Sequence, residues 1–392
     1  MCGISGVVSL HRSVSTTDFV RAHMTLAHRG PDDNGIVHIT PEKKIACKLR
    51  QSFSREYWAT ELNDSPNGQI LLGHHRLSIL DLSSNGHQPM QYGRWTIAFN
   101  GEIYNYLELK VELSAAGYQF DTDTDTEVLL KAWAHWGVSS LRRLNGMWAF
   151  CIYDEVQKKL YLSRDRFGEK PLYWAISDKT LYFASEIKFF RELIPLRLNS
   201  GPAADFLLQR EIDHTDQTLF AGIYQVSPST LLTFNLSDLK SEEHTYWRLP
   251  DCNASAPYSY EEACGEFLRL FRSSIELRLR SDVPVGLLLS GGLDSSAIAG
   301  FIDDSEDVPI AHSYSAIFRD KRYSEADYIQ FVLDRNPKIR NKPVSYESEE
   351  AMQEIPNLLR AQEFPVRSLA AYSQYRLHQS IRAEGRIGVV LT

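Results

Sequence analysis

Cys2 follows the first residue of the chain, and its type and place suit covalent chemistry. A free thiol has a pKa of about 8.5 and an α-amino group one of about 7.7 to 8.0. Removal of Met1 would set the amine of Cys2 beside its own thiol. There it can serve as general base, a scheme also used by N-terminal threonine nucleophiles. Gly3 and Gly6 leave room for close backbone approach. Alone, a cysteine at position two reads as a buried, inert side chain. Its polar context argues for more.

Four polar motifs make that context. His28-Arg29-Gly30-Pro31-Asp32-Asp33 is a compact polar loop, and His74-His75-Arg76-Leu77-Ser78-Ile79 follows a strand. Phe99-Asn100-Gly101-Glu102-Ile103-Tyr104-Asn105 ends a strand on an Asn-Gly, and Thr124-Asp125-Thr126-Glu127 opens a helix. Singly, each has an ordinary structural reading. Arg76 is a surface ion pair, Asn100-Gly101 a turn, Asp125 an N-cap, and Thr124 with Glu127 a capping box. A second signal lies far downstream. The apolar strand Val285–Leu289 runs into Ser290-Gly291-Gly292-Leu293-Asp294-Ser295-Ser296 and a helix. Glycines that bare N–H groups at a helix N-terminus make an anion site, and the serine hydroxyls add neutral donors. No Gly-Lys-Ser/Thr follows, so this is not a Walker A loop.

The ordered set CGI, HRGPD, HRLSI, FNGEIYN and TDTE resembles the class II glutamine amidotransferases, and within them the glutamine-dependent asparagine synthetases. Arg164 to Tyr173 (RDRFGEKPLY) and Phe183 to Lys188 (FASEIK) extend the match, which covers essentially the whole chain. The resemblance implies that Cys2 attacks the side-chain amide of glutamine and forms a γ-glutamyl thioester. Asn100 and the N–H of Gly101 form the oxyanion hole. Arg76 takes the α-carboxylate. Asp125 takes the α-ammonium, helped by Glu102 and the carbonyl of Ile79. SGGLDSS resembles the pyrophosphate loop of ATP pyrophosphatases. Carried over, Ser290, Gly291, Gly292, Asp294, Ser295 and Ser296 cradle pyrophosphate, with Asp294 assisting through Mg²⁺. Leu288 and Ala316 then lie near the adenosine. In the family, aspartate is adenylated on its β-carboxylate and attacked by ammonia that arrives through an internal tunnel.

The elements needed to position these groups are legible. Strands are expected at Ile4–Leu10, Trp95–Phe99, Trp148–Tyr153, Lys159–Ser163, Leu181–Ala184 and Thr230–Phe234. Helices are expected from Tyr106 to Ala116 and from Thr126 to Trp136, stopped by Gly117 and Gly137. A short helix through Arg210 opens at Asn199. Asp251–Pro257 reads as a linker. Beyond it Ser259 and Glu262 sit at capping-box spacing before a helix to about Arg280. Strands at Val285–Leu289, Ala311–Phe318, Pro343–Tyr346 and Ile387–Leu391 then alternate with helices from Asp294, over Glu325–Asp334 and in two later stretches. Alternation implies a parallel sheet covered by helices. The expected fold is α/β in two domains. An N-terminal-nucleophile αββα sandwich spans 1–196, a connecting segment 197–256, and a doubly wound parallel ATP-pyrophosphatase-type domain 257–392.

Two departures from the family stand out. The stretch Glu42–Gln69 is longer than expected and reads as a surface insertion. The family continues past the last strand with a GxGxDE loop, so the expectation is a domain cut short, with an incomplete ATP–Mg²⁺ site. Such a chain would hydrolyse glutamine without exchanging pyrophosphate into ATP. Competing readings are a ligase that amidates another carboxylic acid, and a stand-alone glutaminase with a synthetase remnant.

Composition narrows the partners. A net charge of −8 over 392 residues argues against nucleic-acid and membrane-surface partners. Cys2, Cys47, Cys151, Cys252 and Cys264 are odd in number and form no CxxC pair, unlike a disulfide framework or a zinc site. The N-terminus lacks the n- and h-regions of a signal peptide. The reading is a cytoplasmic enzyme of glutamine, aspartate and ATP. It names no protein metal-ligand site and admits a homodimer.

Overall fold

The computed structural model describes residues 1–10, 14–40, 44–49, 69–250, 258–303, 312–318, 320, 322 and 324–392. The chain divides into two units, Met1–Pro250 and Asp251–Thr392.

The described strands of the first unit are β1 (Gly3–Ser9), β2 (Asp33–Ile39), β3 (Lys44–Leu49), β4 (Gln69–Arg76), β5 (Met90–Tyr92), β6 (Trp95–Ile103), β7 (Gly146–Asp154), β8 (Lys159–Arg164), β9 (Tyr173–Ser177), β10 (Thr180–Ala184), β11 (Tyr224–Gln225), β12 (Thr230–Asn235) and β13 (Ser241–Thr245). They form two antiparallel sheets, ordered β11-β9-β10-β1-β4-β2-β3 and β13-β12-β8-β7-β6-β5. Side chains alternate between the faces of a strand. Ala98, Ala149 and Cys151 therefore meet Ile4, Val8 and Phe183 in a core between the sheets. Ile97, Phe99, Phe150 and Ile152 point the other way, onto Leu129 and Trp133. Those two belong to the helix Asp125–Trp136, which packs beside the helix Tyr106–Ala115. On the first sheet, the helix Thr16–Met24 stacks His23 on His75 of β4, with ring centroids 4.1 Å apart. The layers run helix, sheet, sheet, helix, the expected N-terminal-nucleophile sandwich.

The helices end where glycine permits. Gly117 and Gly137 hold φ of +94° and +57°, the left-handed region. Several boundaries differ from expectation. His74 to Arg76 lie inside β4 rather than after it. Asn100-Gly101 is no turn, because β6 runs on to Ile103 against Gly146. Residues 197–250, expected as a connecting segment, supply β11, β12 and β13 to the two sheets. Within Glu42–Gln69, Lys44–Leu49 is strand β3, paired with β2. The rest of that insertion up to β4, and the linker 251–257, lie outside the described residues.

The second unit holds β14 (Val285–Leu288), β15 (His312–Ala316), β16 (Arg340–Val344) and β17 (Val389–Leu391), all parallel, in the order β16-β15-β14-β17. One face packs Val285, Leu287 and Leu289 on Ala299, Ile302 and Ile329. The other packs Leu288 and Tyr314 on Leu377 and Ile381. Helices cover both faces, so the sheet is doubly wound as expected. The capping box at Ser259 and Glu262 is present. The strand expected at Pro343–Tyr346 lies instead at Arg340–Val344. Its polar start hides it from a propensity reading, and its edge position tolerates Pro343.

Gly6 gives the first test. A Cβ there would lie 2.1 Å from the Phe183 ring, which is fully buried between the sheets. Gly6→Ala should lower the unfolding free energy by about 1–3 kcal/mol through overpacking. Denaturant titration of the full chain, followed by tryptophan fluorescence, measures it, and an unchanged midpoint would contradict the packing.

Candidate active site

Cys2 stands at the head of β1, whose register sets Gly3 opposite His75 of β4. On the other side Ile4 N–H donates to the Ser185 hydroxyl at 3.0 Å, and Ser185 N–H donates to Ile4 O at 2.9 Å. The carbonyl of Cys2 accepts from Arg29 Nε at 2.8 Å, and Arg29 Nη1 donates to Glu186 Oε1 at 2.7 Å. Gly30 lets the Arg29 loop rest on β4, since a Cβ there would lie 2.3 Å from the His75 carbonyl carbon. The Cys2 thiol lies against Leu77. It accepts from Leu77 N–H at 3.4 Å and faces Leu77 O at 3.6 Å.

A cleft with about 310 Å³ of empty space, part of it open to solvent, joins most of the expected site residues: Cys2, Arg76, Ile79, Gly101, Glu102 and Asp125. Arg76 Nη1 donates to Ser83 O at 2.8 Å, and Nη2 to Leu80 O at 3.1 Å and Asp81 O at 2.5 Å. Its guanidinium crosses Gly86, where a Cβ would come within 2.0 Å of Nη2. Asp125 is the first residue of its helix. Thr124 is the N-cap, and its hydroxyl accepts from Glu127 N–H at 3.2 Å. The capping-box return does not form as expected, because the Glu127 carboxylate turns to Asp121, Thr122 and Lys131. Asp125 Oδ2 accepts from Ile103 N–H at 2.9 Å. Asn100 is not on the cleft surface. It takes the inter-sheet face of β6 with Ala98, is 1% exposed, and neither atom of its amide has a hydrogen-bond partner. A buried amide left without a partner is rare and calls for an explanation.

Burial governs the electrostatics. It raises the Cys2 thiol, an effect the terminal amine and Leu77 N–H partly oppose. It lowers the chain's terminal amine, on Met1, to about 6, helped by Arg29 and Lys170. It raises Asp125 to about 6 against the hydrogen bond from Ile103 and the charge of Arg76. Glu102 is driven well above the carboxylate range by burial and then by the Asp125 charge, with Lys170 opposing. Burial lowers Lys170 in turn. For Glu186, burial would raise the carboxyl, but His28, Arg29 and Lys188 outweigh it and bring it to about 2.

Arg29, Lys170 and Glu186 received no role from sequence. Each lies in a recognised motif, which was the available signal. Their meeting around Cys2 follows from strand pairing between distant segments, which a single sequence does not display. Gln88, Thr126 and Leu80 also line the cleft; Thr126 lies in the motif Thr124–Glu127 but received no role, and Gln88 and Leu80 carried no signal.

In the second unit Leu288 ends β14, and Ala316 ends the neighbouring β15. Between β14 and the helix Leu293–Asp303 the loop turns at Gly291, φ +80°. Ser290 N–H donates to the Ser295 hydroxyl at 3.2 Å, Gly292 N–H to the Ser290 hydroxyl at 3.2 Å, and the two hydroxyls are 3.0 Å apart. Asp294 sits in the first turn of the helix, and Ser296 N–H donates to Gly292 O at 3.1 Å. Among the described residues no group of three or more His, Cys, Asp or Glu side chains could hold a metal ion. No described helix is long and apolar enough to cross a membrane.

Comparison with known proteins agrees with both halves. Residues 57–247 match the family described as glutamine amidotransferase domain, and residues 266–392 match asparagine synthase. A putative glutamine-hydrolysing asparagine synthetase 2 of Methanocaldococcus jannaschii is 33% identical over 85% of this chain and 63% of its own length. Asparagine synthetase 1 of Bacillus subtilis, also named glutamine-hydrolysing, is 32% identical over 96% of this chain and 55% of its own. The chain thus spans 63% and 55% of the lengths of these two relatives. A solved glutamine phosphoribosylpyrophosphate amidotransferase from B. subtilis overlays at TM-score 0.46 with 17% identity, covering 90% of this chain and 70% of that one. With both domains matched in the expected order, the chain belongs to the glutamine-hydrolysing asparagine synthetase family.

Proposed function

We propose that the first unit hydrolyses glutamine to glutamate and ammonia, and that the second serves ATP-dependent amidation of aspartate to asparagine. The observation that carries this reading is the meeting of Cys2 with Arg76, Gly101, Glu102 and Asp125 in one cleft. A thiol, a guanidinium and two carboxyls there match an amide bearing an α-carboxylate and an α-ammonium.

The chemistry follows from the shifted groups. A buried thiol with a raised pKa holds its proton at neutral pH and needs a base. A terminal amine lowered to about 6 is mostly unprotonated there. Removal of Met1 would create a new terminal amine on Cys2 itself, next to the buried surroundings that lower the Met1 amine. This new amine accepts the thiol proton as Sγ attacks the amide carbon. The oxyanion is met by the Gly101 N–H, which lines the cleft, and by the adjoining Asn100 amide, which must turn from the inter-sheet face to do so and has no protein partner to hold it there. The ammonium returns its proton to the leaving ammonia, and water then cleaves the thioester to release glutamate. Arg76 holds the α-carboxylate, while Asp125, with Glu102 and Ile79 O, holds the α-ammonium.

In the second unit the proposed substrates are ATP and aspartate. The first-turn N–H groups of a helix have no partner within the helix, so the loop Ser290–Ser296 suits phosphate oxygens. Leu288 and Ala316 would face the adenosine. Mg²⁺, held by Asp294 together with phosphate oxygens, would supply charge neutralisation, since this ion usually takes one or two protein carboxylates. The aspartate carboxylate attacks the α-phosphorus, pyrophosphate leaves, and ammonia displaces AMP. Cys2, Cys151 and Cys264 are free thiols, which supports a reducing, cytoplasmic setting.

Three outcomes test the glutaminase reading. Cys2→Ala should abolish glutamine hydrolysis with an unchanged melting temperature, and intact-mass measurement of active protein should show Met1 absent. Full activity in protein that retains Met1 would refute it. Asp125→Asn keeps an acceptor for Ile103 N–H and leaves the Thr124 cap intact. It should therefore raise KM for glutamine at least about tenfold, as expected for loss of a charged hydrogen bond, with little change in Tm. The third outcome is a pH dependence. The Asp125 carboxyl is raised to about 6, so its charge is complete well above that pH and is lost as pH falls through it. KM for glutamine should rise below pH 6, approaching about tenfold per pH unit. A flat KM between pH 7 and 5 would exclude Asp125 as the ammonium partner.

A further inference from the structure

The two groups proposed to read the α-carbon of glutamine sit on different loops. Arg76 ends β4, and its guanidinium is wrapped by the turn 80–83. Asp125 opens its helix at the far side of the loop 121–124. Asp81 touches both. Its carbonyl accepts from Arg76 at 2.5 Å. Its Oδ1 accepts from Ser83 N–H at 3.1 Å and from the Ser83 hydroxyl at 2.5 Å. Its Oδ2 accepts from Asp123 N–H at 3.1 Å.

Asp81 also holds φ of +52°, a left-handed conformation uncommon for L residues. Aspartate tolerates it because its short carboxylate bonds nearby backbone. That local need is met by Oδ1 alone. Oδ2 instead accepts from Asp123 N–H, two residues before Asp125, and so ties the turn that holds Arg76 to the loop that leads into the helix of Asp125.

The same loop is fastened from behind. The Glu127 carboxylate accepts from Asp121 N–H at 3.0 Å and from both Thr122 N–H and the Thr122 hydroxyl at 2.8 Å. Its charge is met by Lys131 Nζ at 2.5 Å, which lies 4.7 Å from the centre of the Phe120 ring. An exposed pair at this helical spacing would contribute little. This one is 7% and 4% exposed, and the loop N–H groups consume the rest of the carboxylate.

A rigid pair of charges selects a zwitterion only if its span is fixed, because misplaced groups lose most of their recognition energy. We propose that Asp81 and Glu127 are positioning residues that fix the span between Arg76 and Asp125, and thereby select free glutamine over amides lacking the α-ammonium and α-carboxylate. This rests on the glutaminase reading above.

Two thiol-directed electrophiles separate positioning from folding. A diazoketone analogue of glutamine must use Arg76 and Asp125 to reach Cys2, whereas iodoacetamide needs only the thiol. In Asp81→Asn and Glu127→Gln, the rate of Cys2 alkylation by the analogue should fall about tenfold, as for one lost charged hydrogen bond. The rate with iodoacetamide should stay within about twofold. Asn keeps the left-handed backbone accessible, so the Asp81 variant remains informative if the buried Lys131 prevents the Glu127 variant from folding. Parallel loss with both reagents, or no loss with either, in a folded variant would overturn the proposal while leaving the glutaminase reading intact. A wild-type chain that ignores the glutamine analogue would overturn that reading, and this inference with it.

Discussion

One buried guanidinium ties Cys2 to the rest of the first unit. Arg29 spends Nε on the carbonyl of Cys2 and Nη1 on Glu186. A planar fork can serve two directions at once, which a lysine ammonium on a flexible stem does less well. The Arg29 and Glu186 side chains are 7% and 9% exposed. Removing one partner of so buried a pair costs about 3–5 kcal/mol, because the other is left charged and unpaired. His28 and Lys188 also bond Glu186. The carboxylate, with its pKa held at about 2, thus stays ionised at neutral pH. A strand end is ordinarily free to fray. Here it is held by β4, by β10 through Ser185, and by this guanidinium.

Anchoring the thiol in a buried corner crowds charge into the cleft. Burial raises both Glu102 and Asp125, the Asp125 charge raises Glu102 further, and Lys170 and the terminal amine oppose that rise only in part. The two carboxyls therefore hold more protons in the empty cleft than they would in water. A bound α-ammonium would supply the missing positive charge and draw both carboxyls back toward ionisation, so ligand binding and proton release are linked. The α-carboxylate would meet Arg76, whose guanidinium is already oriented by the carbonyls of Leu80, Asp81 and Ser83. Carbonyls orient a cation without neutralising it, and this leaves Arg76 a full charge for an anion.

Much of this was legible in the sequence because it is local. Gly117 and Gly137 ended their helices, Ser259 and Glu262 formed their box, and the alternation after residue 257 gave a parallel sheet. Each follows from a few adjacent residues. Cys2, Arg76, Gly101, Glu102 and Asp125 were expected in one site and share one cleft. What escaped was set by pairing between distant segments. β6 reads as stopping at Asn100-Gly101, yet it continues because Gly101 packs against the backbone of β7, where a Cβ would meet Met147 O at 2.2 Å. His74 to Arg76 belong to β4 because Gly3 to Ser9 and Asp33 to Ile39 flank it with matching register. Within 197–250, which reads as a connector, the strand at Thr230–Phe234 was legible, but β11 is only two residues long and β13 is polar and exposed, and only the sheets they complete identify them. Lys170 and Glu186 stood in plain view in their motifs without a partner to give them meaning.

Under the proposed function the two units would recognise anions differently, and the difference follows from what each site would have to distinguish. On the proposed function, the first cleft would tell one amino acid from other amides with buried formal charges at a fixed span, and would carry the desolvation they cost. The second has a loop of glycine and serine between a parallel strand and a helix. It offers N–H and hydroxyl groups that are neutral at any working pH. Its serines bond one another, Ser290 to Ser295 at 3.0 Å, so the loop keeps its curvature with only its own groups. Gly291 makes the turn at φ +80°, and Tyr328 and Glu325 crowd the place where a Cβ would stand, at 3.0 and 3.3 Å. A side chain at 291 would have to overcome both the backbone conformation and that contact. Shape and dipole suffice for a phosphate, whose high charge needs no charge-by-charge reading, whereas a zwitterion with equal and opposite ends can be recognised only by two groups held apart.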